Sequence, residues 1–195
     1  MKKSLFILNP VSGRQNFWKD VEAVIGCLVL NEIVDHVDVI YTEKKYDARE
    51  AARKLKRGQY DVVVAVGGDG TVSDVINGII KGRSQIPVAV FPCGTSNAFA
   101  QALDLPSQKE EFCCMLRDFR LMDIDVGKIN GEYFISTLAG GMGADISAKA
   151  AGSTKAIFGK KAYFFEALRS FPKQFFRSMK LYFDSEEFTA KSDTM

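Results

Sequence analysis

The chain has one histidine, His36, and four cysteines, Cys27, Cys93, Cys113 and Cys114, none of them in a CxxC pair. That scarcity spells out no zinc site. It also leaves no Ser-His-Asp arrangement, because His36 sits beside an expected strand, away from the polar loops. Scattered thiols without a signal peptide indicate a reducing, cytoplasmic setting. Long hydrophobic runs are missing as well: nothing approaches the roughly 18 apolar residues of a membrane span. Charge of one sign is also scarce. With 26 basic and 24 acidic residues, the net charge of +2 is too small to mark a nucleic-acid-binding chain. There is no internal repeat and no low-complexity tract. The 195 residues, 47% hydrophobic and 26% charged, suit one ordinary folded domain, or one domain and part of another.

What is present begins as an alternation of strand and helix patterns. Strands are expected over residues 4–8, 37–41, 61–66 and 88–91, whose nearly continuous Val/Ile/Phe runs suit burial on both faces of a parallel sheet. Helices are expected over about 16–30, 47–57, 72–81, 96–103 and 107–117. The fold class is therefore α/β, with ligands expected at the carboxyl ends of the strands. After residue 122 the pattern changes. Residues 123–129 and 133–137 read as two strands around the Asn130-Gly131 turn, and residues 180–183 read as a strand before a polar end. The expected boundary divides an α/β domain, 1–124, from the start of a β-sandwich domain, 125–195.

Three strand ends carry residues suited to phosphate. Asn9, Pro10, Val11, Ser12, Gly13 and Arg14 follow the first strand. Gly67, Gly68, Asp69, Gly70 and Thr71 follow the third and enter a helix that Thr71 or Ser73 is expected to cap. Pro92-Cys93-Gly94-Thr95-Ser96-Asn97 follows the fourth. Glycine lets an anion approach the unpaired N–H groups at a helix start, where the dipole favours negative charge. Each turn alone is equally a structural turn; three at the carboxyl ends of one sheet point to a nucleotide or another phosphate ligand. No Walker A loop is present, and Ser73 stands where a Rossmann fingerprint needs its third glycine.

These three loops, with Val75-Ile76-Asn77-Gly78 behind the second and Phe99-Ala100 behind the third, resemble the diacylglycerol kinase catalytic domain family. The closest likeness is to soluble bacterial lipid kinases related to sphingosine and ceramide kinases. Tyr41-Thr42-Glu43 followed by Asp47-Ala48-Arg49 matches the family's second-strand loop, and the likeness runs from residue 3 to residue 183. The resemblance implies ATP and Mg²⁺. Nucleotide contacts are implied at Asn9, Pro10, Val11, Ser12, Gly13, Thr42, Gly67, Gly68, Asp69, Gly70, Thr71, Val72, Ser73 and Thr95. Asp69 would orient the Mg²⁺ or the attacking hydroxyl, or else hold its own turn through local N–H bonds.

Two departures from the family pattern stand out. Ala98 replaces the aspartate usual after the third motif's asparagine. The later sandwich strands, which in the family supply metal ligands and the acidic residue proposed as general base, do not fall within these 195 residues. A half sandwich would expose strand edges, a route to self-association. Residues 155–180 carry seven basic side chains against Glu166 alone, interleaved with seven aromatics between Phe158 and Phe176. This segment either packs as a helix on the second domain or lies on an anionic membrane surface, where a lipid substrate would be met at the inner membrane face. The expected function is ATP-dependent transfer of a γ-phosphate to a lipid hydroxyl. The alternatives are a NAD kinase-like enzyme, which shares Gly-Gly-Asp-Gly, and a catalytically dead nucleotide-binding fragment.

Overall fold

The structure, a computed structural model, describes residues 3–11, 17–136, 179–184 and 189–194. Four parallel strands, β1 (Lys3–Leu8), β2 (His36–Tyr41), β3 (Val62–Gly67) and β4 (Val88–Pro92), form a sheet in the order β2-β1-β3-β4. In register, Phe6 lies beside Val39 on one side and Val64 on the other, and Val66 beside Phe91. Every residue of β3 is buried, which is why its sequence is an unbroken apolar run.

The pleat divides the core in two. Leu5, Ile7, Val63, Ala65 and Val90 pack with α2 (Asp47–Arg53) and α3 (Asp69–Gly82). Phe6, Leu8, Val62, Val64, Val66 and Phe91 pack with α1 (Phe17–Leu30) and α5 (Lys109–Asp118). A short α4 (Ala98–Ala102) adds Phe99 and Ala100 to the first cluster. The α1 crossover from β1 to β2 thus runs over one face, and the α3 crossover from β3 to β4 over the other. The direction in which successive strands are added reverses between β1 and β3, and that reversal is the topological switch point where open α/β sheets bind ligands.

α2 and α3 pack unusually closely. A Cβ on Gly78 would lie 2.4 Å from the Arg49 carbonyl oxygen, and one on Gly82 would lie 2.4 Å from that of Arg53. The two glycines, one turn apart, let backbone meet backbone.

The four strands of this sheet lie within one residue of their expected places, α2 ends four residues short of its expected bound, and three further details differ. α3 begins at Asp69, inside the glycine loop, with Gly68 as its extended cap (φ −91°), so neither Thr71 nor Ser73 caps it. The reason is that the Gly68 carbonyl already accepts from the N–H groups of Thr71 (2.9 Å) and Val72 (3.1 Å). The expected hairpin is shorter: β5 (Gly127–Ile129) and β6 (Glu132–Phe134) pair antiparallel around Asn130 (φ +48°) and Gly131 (φ +81°). The polar end contains a strand: β7 (Met179–Asp184) pairs antiparallel with β8 (Thr189–Thr194).

Residues up to Ser136, including the β5–β6 hairpin, form one compact unit, and Thr137–Met195 form a second. In that second unit the described residues are the β7–β8 ribbon. The glycine-rich stretch 140–143 and the aromatic, basic segment 155–180 lie outside the described residues, apart from Met179 and Lys180. No helix among the described residues is long and apolar enough to cross a membrane.

Candidate phosphate-binding site

The loops after β1, β3 and β4 meet at the carboxyl ends of their strands, and side chains lock them together. At the switch point, the Asn9 amide donates through Nδ2 to the Thr71 hydroxyl at 3.2 Å, tying the first loop to the second. Asn9 Oδ1 also accepts from the Val11 N–H at 3.1 Å, which shapes its own loop. Thr71 is buried, and it can sit over the end of β3 only because Gly67 has no side chain: a Cβ there would lie 2.5 Å from the Thr71 hydroxyl. β-type bonding continues past the strands, from the Asn9 N–H to Val66 O (3.1 Å) and from the Cys93 N–H to Gly67 O (2.9 Å).

The second and third loops are joined more tightly still. Asp69 accepts from the Ala98 N–H through Oδ2 and from the Phe99 N–H through Oδ1, both at 3.1 Å. Its carboxylate therefore anchors the start of α4, 29 and 30 residues away, rather than its own turn. Beside this bridge the two backbones touch. A Cβ on Gly94 would lie 2.5 Å from Gly68 Cα. Asn97, in the left-handed conformation (φ +51°), closes the third loop on itself: its Oδ1 accepts from the Gly94 N–H (2.8 Å) and its Nδ2 donates to Gly94 O (3.0 Å). Thr95 is exposed at the tip of this turn. Cys93, at its root, has its thiol pushed up to about 12 by burial, so it stays neutral.

Of the expected site residues, the structure brings together Asn9 and the run from Gly67 to Val72, beside the loop that carries Thr95. Ser73 follows in the first turns of α3. Pro10 and Val11 are exposed on the first loop, while Ser12 and Gly13 lie outside the described residues. Thr42 stands one strand further out, buried at the end of β2, where its N–H donates to Leu8 O at 2.9 Å. An open cleft of about 490 Å³, lined by Asn31, Ile33, Asp61, Leu116 and Phe119, lies at the opposite, amino-terminal edge of the sheet and contains none of these residues.

The arrangement suits anion binding. Thr71 and Val72 bond to Gly68 O, and the Asp69 and Gly70 N–H groups stand at the positive end of this 14-residue helix, a notch flanked by Gly67, Gly68 and Gly70. No group of three metal-ligating side chains exists among the described residues, and both Asp69 oxygens already accept N–H bonds.

Residues 3–129 match the family model for the diacylglycerol kinase catalytic domain. The chain belongs to this family. Among its relatives is a diacylglycerol kinase of Staphylococcus saprophyticus, 32% identical over 192 residues, 98% of this chain and 62% of that protein. A diacylglycerol kinase of Staphylococcus aureus is 29% identical over 191 residues and is covered to 60%. A crystal structure of a diacylglycerol kinase from Bacillus anthracis superposes with a TM-score of 0.67 at 21% identity, over 98% of this chain and 61% of that one, a likeness of fold. The chain thus spans about three-fifths of the length of these relatives. Membership of the diacylglycerol kinase family confirms the resemblance read from the three loops and the α/β fold class.

One further group was quoted from sequence only as part of the resemblance, with no role given to Asn77 or Arg49. Asn77, on α3, is 1% exposed and bonds to the backbone of Tyr133. Arg49 pairs with Asp74 (Nη2 to Oδ1, 2.9 Å) and Glu132 (Nη1 to Oε2, 2.7 Å), and Lys81 also pairs with Glu132. Burial holds the Asp74 carboxyl above its usual value despite Arg49, whereas the Lys81 hydrogen bond holds Glu132 below its own. Besides the motif wording, the sequence signal is a polar residue on the apolar face of a helix, next to Gly78.

Proposed function

We propose that this chain is the donor half of an ATP-dependent lipid kinase: it binds ATP at the three interlocked loops and presents the γ-phosphate to a lipid hydroxyl. The observation that carries the reading is the bonding of the Gly67–Thr71 loop to both neighbours, through Asn9 on one side and Asp69 on the other. Phosphoryl transfer needs positioning and charge neutralisation more than covalent chemistry, and a rigid glycine notch at a helix start supplies positioning. In this reading the α3 N–H groups cradle the terminal phosphates, and Thr95 and Thr42 contact the rest of the nucleotide. Asp69 keeps the cradle in shape. Mg²⁺ arrives with the phosphates, as expected for an ion that keeps its water and phosphate ligands and uses few protein ones.

Residues 1–124 serve the nucleotide, and residues 125–195 begin the lipid-binding domain. The lipid is met at the inner face of the membrane. The specific expectation for the chain is that it binds ATP and transfers the γ-phosphate to a lipid hydroxyl. Calorimetric titration with ATP, followed by transfer of labelled phosphate to mixed lipid vesicles or to NAD, tests this. Binding with lipid transfer supports the lipid kinase. Binding without transfer supports the nucleotide-binding fragment. Transfer to NAD, or no ATP binding, refutes the proposal.

A further inference from the structure

The helix that starts at the phosphate notch carries, two turns on, a buried amide that the notch does not use. Asn77 Nδ2 donates to Tyr133 O at 2.8 Å and to Ser73 O at 3.0 Å, while its Oδ1 accepts from the Tyr133 N–H at 2.9 Å. Tyr133 lies opposite Lys128 in the β5–β6 ladder, between the Gly127–Phe134 and Ile129–Glu132 pairs. Both its backbone groups point out of the hairpin toward α3, so Lys128–Tyr133 is the ladder's non-hydrogen-bonded pair. A primary amide presents a donor and an acceptor side by side, as a peptide group does. Asn77 therefore substitutes for one residue of a neighbouring strand and closes the open edge of β6. One turn on, Lys81 meets Glu132, which also holds Arg49 of α2. A three-residue ribbon has little stability of its own, so its position is set by what it is bonded to.

We infer that Asn77 is a positioning residue: it holds the β5–β6 hairpin, the root of the acceptor-binding region, in fixed register with the helix whose first turn holds the donor phosphates. The roles of donor and acceptor rest on the function proposed above; the register does not. Asp69 and Asn77 are eight residues apart on one helix, about 12 Å along its axis, so the hairpin and the notch move as one body. An amide that merely satisfied the core would stabilise all parts of the unit equally. A latch acts on the hairpin alone.

Amide hydrogen exchange on the whole 1–195 chain separates the two. In the unaltered chain the Tyr133 amide is expected to exchange as slowly as the interior α3 amides of Ile76 and Ile79. In Asn77→Ala it is expected to exchange at least about tenfold faster, with β1 and β3 amides changed less than about twofold. ATP affinity by calorimetry stays within about twofold, while lipid phosphorylation at saturating ATP falls by about tenfold or more. Asn77→Asp keeps the acceptor but loses the donor and adds charge beside Asp74 and Glu132, so Tyr133 protection falls between the other two. Rapid Tyr133 exchange in the unaltered chain overturns the latch without any variant, even if Asn77→Ala does not fold. Equal acceleration of the sheet amides, or a tenfold loss of ATP affinity in Asn77→Ala, overturns it too. If the unaltered chain binds no ATP or phosphorylates no lipid, the proposed function fails, and the exchange data still decide the latch.

Discussion

Replacing Asp69 by asparagine separates a structural role from a purely chemical one. The carboxylate accepts two N–H bonds at the start of α4, each at 3.1 Å. Hydrogen bonds to an ionised acceptor contribute about 1.5–3 kcal/mol each. In Asp69→Asn one oxygen remains an acceptor but loses its charge, and the other becomes an amino group facing an N–H. One bond is lost and one weakened, a gross loss of about 3 kcal/mol. Ala98 is exposed, so water replaces part of its lost bond, leaving about 2 kcal/mol. For a chain of this size that lowers the midpoint of thermal unfolding by about 4–8 °C. The decisive measurement is made without nucleotide, by circular dichroism. A side chain whose only duty is to orient a cation or a hydroxyl leaves the ligand-free chain as stable as before. An Asp69→Asn midpoint within about 1 °C of the unaltered chain would refute the anchoring role.

Gly94→Ala places a methyl 2.5 Å from Gly68 Cα and 2.7 Å from Asn97 Oδ1, forcing the second and third loops apart. It is expected to cost about 1–3 kcal/mol by denaturant unfolding and to weaken ATP binding by calorimetry. Gly78→Ala, whose methyl would meet Arg49 O at 2.4 Å and Ala52 Cβ at 2.6 Å, is expected to cost a similar amount by pushing α2 off α3. Its ATP affinity is expected to change less than that of Gly94→Ala. Glu132 is held below its ordinary value of 4.5 by Lys81 first and Arg49 next, so its contribution to hairpin docking is full above pH 4.5 and is lost as pH falls through the lowered value. Asp74, raised by burial, favours its protonated form in the folded state and opposes that loss. Nuclear magnetic resonance titration should place the Glu132 midpoint below 4.5, and Glu132→Gln should remove the acid-dependent shift of the Tyr133 amide.

The strands of the sheet were legible because burial on both faces writes them as uninterrupted Val/Ile/Phe runs. The three loops were legible because glycines and hydroxyls at strand ends have few other uses in combination. β8 was hidden because its residues, among them Lys191, Ser192 and Asp193, carry no apolar alternation, so its pairing with β7 leaves no signature in local sequence. The start of α3 was misplaced because Gly-Gly-Asp-Gly reads as a turn, whereas the Gly68 carbonyl draws the helix back into it. The tasks of Asp69 and Asn77 were out of reach for another reason. Their partners are 29, 30 and 56 residues away, and only the folded sheet brings them within hydrogen-bond distance.

The close contact of α2 with α3 at Gly78 and Gly82 bears on how a ligand would be received. α3 is held on one side by the sheet, on another by the α2 backbone, and near its middle by the Tyr133 peptide. A helix fixed on three sides cannot withdraw or tilt when phosphates arrive at its first turn. The loss of conformational freedom that anion capture usually entails is completed while the chain folds. Association is then left with mainly the desolvation of the phosphates and the immobilisation of the nucleotide to overcome. On the proposed function, the two glycines would lower the entropic cost of binding a phosphate at a site neither of them touches.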